Sequence, residues 1–230
     1  MLCLGVHLAC ALAATGLFWT AACAPKGGPF HRRVGRAFSL AIYATAVTGG
    51  MLAIAGLLAP GWGHRADTTL AAARHAEWQT MWLVLYVLLI IVVPVQHGLA
   101  VVAAGPNPAR VRSRAHAALN IASMLGTLAL LSATVIWQRW LFLIVMPIGL
   151  IVGLRNINYA SRPTSTSSDW QREHLTSLIT AGITLHTAFF VFGTSRSLGW
   201  QMTGVAALAP WIVPALVGVP VIAWLRRRSR

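Results

Sequence analysis

Acidic side chains are nearly missing: Asp67, Glu77, Asp169 and Glu173 are the only four among 230 residues, against 18 Lys and Arg. All four read as lying in loops or at the ends of apolar runs. That leaves no carboxylate for the middle of a bilayer and weighs against a carboxylate-relayed proton or cation pump. Lysine is almost absent too. The single Lys26 falls in a loop, which excludes a retinal Schiff base inside a bundle. The three cysteines, Cys3, Cys10 and Cys23, share the first apolar run, so no disulfide framework is available and the thiols read as small apolar groups. There is no phosphate-binding glycine loop, no Ser-His-Asp order and no His-Glu-x-x-His pair.

What the chain has is hydrophobicity. It is 57% hydrophobic and 10% charged, with mean hydropathy +0.69, the composition of a polytopic membrane protein. Seven runs are long enough to cross: about 2–23, 37–58, 78–104, 115–136, 140–154, 173–194 and 202–225. The expectation is one all-α transmembrane domain over residues 1–230, a bundle of seven helices. The first run ends in small residues like a signal peptide, but no basic residue precedes it, so it reads as a retained span.

Basic residues alternate between connections. Fourteen of the 18 fall in odd-numbered loops and the tail: Lys26, Arg32, Arg33, Arg36, Arg110, Arg112, Arg114, Arg155, Arg162, Arg172, Arg226, Arg227, Arg228 and Arg230. Arg65, Arg74, Arg139 and Arg196 take the even ones. Positive loops stay cytoplasmic, which puts the N-terminus out and the C-terminus in. The net charge of +14 then meets anionic headgroups of the lipid bilayer, and no nucleic-acid partner is needed. Trp78, Trp82, Trp137, Trp140 and Trp200 would line the outer interface, and Trp19, Trp170 and Trp224 the inner one.

Eight histidines carry most of the chemical interest. His7, His97, His116, His174 and His186 form a pool of cofactor ligands, with b-type haem the leading candidate, because neutral imidazole ligates haem iron, copper and zinc. His174 and His186 stand 12 residues apart, a rotation of about 120°, so haem ligands would have to come from different helices. Cys3, His7 and Cys10 make an i, i+4, i+7 stripe of metal-ligand types, of which two at most could reach one ion; packing by small residues is the competing reading. Lys26, His31, Arg32, Arg33 and Arg36 follow a Pro-Gly-Gly-Pro turn. They read either as a site for phosphate, carboxylate or headgroup, or as a plain positive-inside anchor.

Polar stripes run along span four (His116, Asn120, Ser123, Thr127, Thr134) and span six (Thr176, Thr180, Thr187, Thr194), and either glue helices or line a wet cavity. Pro94 and Pro147 remove the donors for the Ile90 and Leu143 carbonyls, and such broken turns mark either a site or a kink packed by neighbours. The Ser/Thr-rich stretch 161–168 reads as a mobile loop.

Four segments together resemble the family called domain of unknown function 2306, predicted bacterial membrane proteins. They are His7, the string Lys26-Gly27-Gly28-Pro29-Phe30-His31-Arg32-Arg33-Val34-Gly35-Arg36, His174 to Ile179 running into Thr187-Ala188-Phe189, and Trp211 to Pro220. The likeness covers the first and last 60 residues or so, and only the Lys-Gly to Gly-Arg string is specific. It implies a bacterial cytoplasmic (inner) membrane protein and brings no activity with it. The functional expectations are therefore three. One is a His-ligated haem b or metal protein of membrane electron transfer; another is a small-molecule transporter or binder built on the two stripes. The third is a cofactor-free accessory subunit that joins a membrane-protein partner or its own copies.

Overall fold

The computed structural model describes residues 2–59, 70–140, 142–194 and 204–228. His64, Arg65, Asp67, Arg196, Trp200, Met202 and Arg230 lie outside the described residues, as does the side chain of Thr194. Helices and short helical turns account for nearly all described residues, and no strand occurs among them. The helices are α1 (Leu2–Cys23), α2 (Pro29–Leu58), α3 (Leu70–Ala104), α4 (Arg114–Trp137), α5 (Phe142–Ser161), α6 (Ser167–Ala188) and α7 (Ala209–Arg228). Seven segments are long and apolar enough to cross a membrane.

Several boundaries differ from the hydropathy reading, each for a local reason. α2 begins at Pro29, whose fixed φ suits the first helical position, so His31 to Arg36 are its first turns rather than a loop. α5 continues to Ser161, because Asn156 and Tyr159 are buried and Arg155 pairs with Glu173 instead of ending the span. α6 begins at Ser167, inside the stretch read as mobile. There Thr166 Oγ1 accepts from Asp169 N and Asp169 Oδ2 accepts from Thr166 N, both at 3.2 Å, a reciprocal capping box. Gly105, at φ +57, ends α3 in the left-handed conformation and donates to Val101 O at 3.0 Å.

Two compact units divide the chain at Leu88. In the first, α1 packs along α2. At Gly49 an added Cβ would stand 2.8 Å from His7 Cε1 and 3.2 Å from Leu88 Cδ1, so the close approach there depends on the missing side chain. The second unit holds the end of α3 together with α4 to α7, with α4 along α5 and α6 along α7.

The second unit has the polarity expected of a protein solvated by lipid. The buried side of α4 carries His116, Asn120, Ser123, Thr127 and Thr134, while Ile121, Leu125, Leu128, Leu131 and Val135 face outward. Ser123 Oγ and Thr127 Oγ1 reach the α5 carbonyls of Gly149 and Met146, each at 3.1 Å, on either side of Pro147. Most of the span-four stripe is thus interhelical glue.

A buried polar network as candidate functional site

Four helices of the second unit bring one carboxylate, two imidazoles and one guanidinium together. His97, two turns before the end of α3, is fully buried and flanked by buried Val93, Val95 and Val101. Its Nδ1 lies 2.9 Å from His116 Nε2, in the first turn of α4. Its Nε2 lies 3.2 Å from Glu173 Oε1, in the second turn of α6. The same oxygen is 3.1 Å from Arg155 Nε, near the end of α5.

Chemistry assigns the protons. An ionised carboxylate only accepts, so His97 donates Nε2–H to Glu173 and accepts at Nδ1 from His116 Nε2–H. The buried charge of Glu173 and the part-buried charge of Arg155 offset one another, the condition under which ionic groups persist in such surroundings.

Around this core the network is well secured. Asn156 Nδ2 donates to Asn120 Oδ1 at 2.8 Å, and Asn120 Nδ2 donates to His116 O at 2.7 Å; both amides are fully buried. Arg155 Nη2 donates to Ser177 Oγ at 3.0 Å and approaches Asn156 Oδ1 at 3.4 Å. The Tyr159 ring stands edge-on to His97, 5.6 Å between centroids, and its hydroxyl lies 3.3 Å from Ser165 Oγ. An apolar layer of Val101, Ala104, Val111, Tyr159 and Ala160 adjoins the network.

Of the five expected haem ligands, only His97 and His116 meet, and they meet nitrogen to nitrogen. Trans ligation of one iron would hold two nitrogens roughly 4 Å apart, at about 2 Å per bond. The hydrogen-bonded pair stands closer than that. His174 Nδ1 bonds Gly98 O at 2.9 Å and His186 Nδ1 bonds Gly182 O at 2.7 Å. Metal-ligating imidazoles are anchored this way, but so are satisfied core histidines. No group of three or more His, Cys, Asp or Glu among the described residues is placed to hold a metal ion. These contacts do not favour haem or metal chemistry.

The other expected sites lie in the first unit. His7 Nδ1 is 3.1 Å from Thr45 O and 3.2 Å from Thr48 Oγ1, and Cys3 Sγ is 3.8 Å from Thr48 O. Cys3 and His7 thus bind α2 rather than converge on an ion. Lys26 Nζ donates to Ala21 O at 3.1 Å, and His31 Nδ1 lies 3.1 Å from the same oxygen. Both close the end of α1, where carbonyls lack helical partners and the dipole attracts cations. Burial holds the Lys26 ammonium below its ordinary pKa, with nearby Cys23 opposing. Arg32, Arg33 and Arg36 are exposed along α2, the arrangement of an anchor.

Sequence reasoning missed Glu173, Arg155, Asn156, Tyr159 and Ser177. The signal was present: Glu173, Thr176, Ser177 and Thr180 repeat at i, i+3, i+4, i+7, one face of a helix. By hydropathy, the charge at 173 reads as the end of a span. The structure buries the glutamate in the second turn of a span-length helix, near the end of the span rather than at its middle. On span six, the Thr176, Thr180 and Thr187 hydroxyls bond carbonyls one turn back in their own helix. No family model, no curated protein and no solved structure matches the chain, so the resemblance to domain of unknown function 2306 stays a likeness of segments.

Proposed function

We propose that this chain is a multi-pass membrane protein of the transporter class that handles protons through the Glu173–His97–His116 relay. One observation carries the reading: three proton-exchanging groups stand in unbroken hydrogen-bond sequence, buried in a span-length bundle. Intramembrane chains of Asp, Glu and His are characteristic of proton relays in pumps and transporters. An imidazole bonded at both nitrogens can accept a proton at one and release one from the other. A proton taken up at His116 Nδ1 lets the Nε2 proton of that ring pass to His97 Nδ1 and the His97 Nε2 proton pass to Glu173, and neither ring carries a lasting charge. The reading also includes a bacterial inner membrane, supported by the segment resemblance. It further includes an outside N-terminus, supported by the alternation of basic loops.

The test is proton movement in vesicles. Protein reconstituted around a trapped pH-sensitive dye, under an imposed potassium diffusion potential, should acidify the lumen several-fold faster than protein-free vesicles. His97→Phe and Glu173→Gln should bring the rate down to the protein-free level, while Ser132→Ala on an exposed face should leave it unchanged. Wild-type vesicles no faster than empty ones would show that the network only joins helices.

A further inference from the structure

Glu173 does not exhaust Arg155. A guanidinium carries five N–H donors in a planar fork, and a well-held carboxylate takes two of them side by side with both oxygens. Here one oxygen, Oε1, serves both His97 Nε2 and Arg155 Nε. The buried Nε makes no hydrogen bond, although Oε1 is only 3.1 Å away, so the approach is an ion pair off the N–H axis.

The rest of the fork is held in place rather than consumed. Nη2 is fixed by Ser177 Oγ and Asn156 Oδ1, which sets the plane of the group. The Arg155 side chain is 23% exposed against 7% for Glu173, so of the two residues the arginine lies nearer the surface. Arg226 on α7 adds positive potential at both residues. A fork that is oriented and met off-axis at Nε by a single carboxylate oxygen has donor capacity left for a further anion.

We infer that Arg155 anchors a small anionic ligand, a carboxylate or phosphate, which replaces Glu173 on the guanidinium. This rests on the reading of the network as a working site and names its ligand class. The planar fork selects an anion with two oxygens in register, and a point cation such as Lys would not. A displaced Glu173 keeps the His97 N–H and the field of Arg226, so it is not left bare. The ligand oxyanion comes either from a solute or from a lipid headgroup, and both offer the same chemistry to Arg155.

Calorimetric titration of the purified full chain in uncharged detergent tests this, with acetate, inorganic phosphate and short-chain phosphatidylglycerol as separate probes. At least one probe should bind. Arg155→Met should weaken it about tenfold or more, the loss of a charge-assisted pair. Glu173→Gln should tighten it, because the internal competitor is gone; a gain of affinity cannot arise from misfolding. Binding of acetate or phosphate assigns a solute, and binding of phosphatidylglycerol alone assigns a headgroup. No binding of any probe to wild type and Glu173→Gln, or binding that Arg155→Met leaves intact, overturns the inference. Vesicles that pass protons while no probe binds would sink the anion site and leave the relay. Binding without proton passage would do the reverse.

Discussion

Asn120 and Asn156 show how polar side chains persist in an interior made mostly of apolar ones. Each amide is fully buried, and one bonds the other while also reaching the His116 carbonyl. Removing a single partner strands a buried acceptor with no water to replace it. Asn156→Ala should therefore cost about 1–2 kcal/mol, measured as a lower midpoint in detergent-denaturation titrations. The paired Asn120→Ala, Asn156→Ala variant should cost less than the two single losses added together, because neither amide is left unmatched. Additive losses would mean that the pair is not coupled. The residues that escaped a reading of the sequence are of this kind: Arg155, Asn156 and Glu173 are polar types whose hydropathy signals an exit from the bilayer. Only their neighbours on other helices reveal that they point inward.

Among the helices, the lengths and order of the spans were legible because hydrophobic runs and Pro-Gly breaks are local properties. Termini were less so. A capping box at Thr166 and a proline at the first position of α2 extend helices into polar sequence, where hydropathy sees only loops. Helix contacts were invisible as well. Gly153 on α5 sits where an added Cβ would lie 2.6 Å from Met124 Cγ and 3.0 Å from the Asn120 carbonyl oxygen on α4. The methionine can swing aside and the backbone oxygen cannot. Gly153→Ala should accordingly force α4 and α5 apart and lower stability by about 1–3 kcal/mol, checked by the thermal midpoint in detergent. An unchanged midpoint would show that the crossing has slack.

At the scale of the whole molecule, the alternation of basic residues is legible by counting, apart from Arg155, which lies within α5 rather than in a loop. Engineered single cysteines, in a background with Cys3, Cys10 and Cys23 replaced by serine, test it. A thiol at Arg74 should react with an impermeant reagent added outside intact cells, and one at Arg112 should be protected; the opposite pattern reverses the orientation.

The polar network has a further consequence, for synthesis. His97 and Glu173 are 76 residues apart in the chain. At roughly 5–20 residues per second, the ribosome needs about 4–15 s to travel from one to the other. During that interval the nascent third, fourth and fifth helices hold two imidazoles and then a guanidinium whose counter-ion has not yet been translated. Insertion machinery that shelters early helices until the sixth emerges would spare them the lipid.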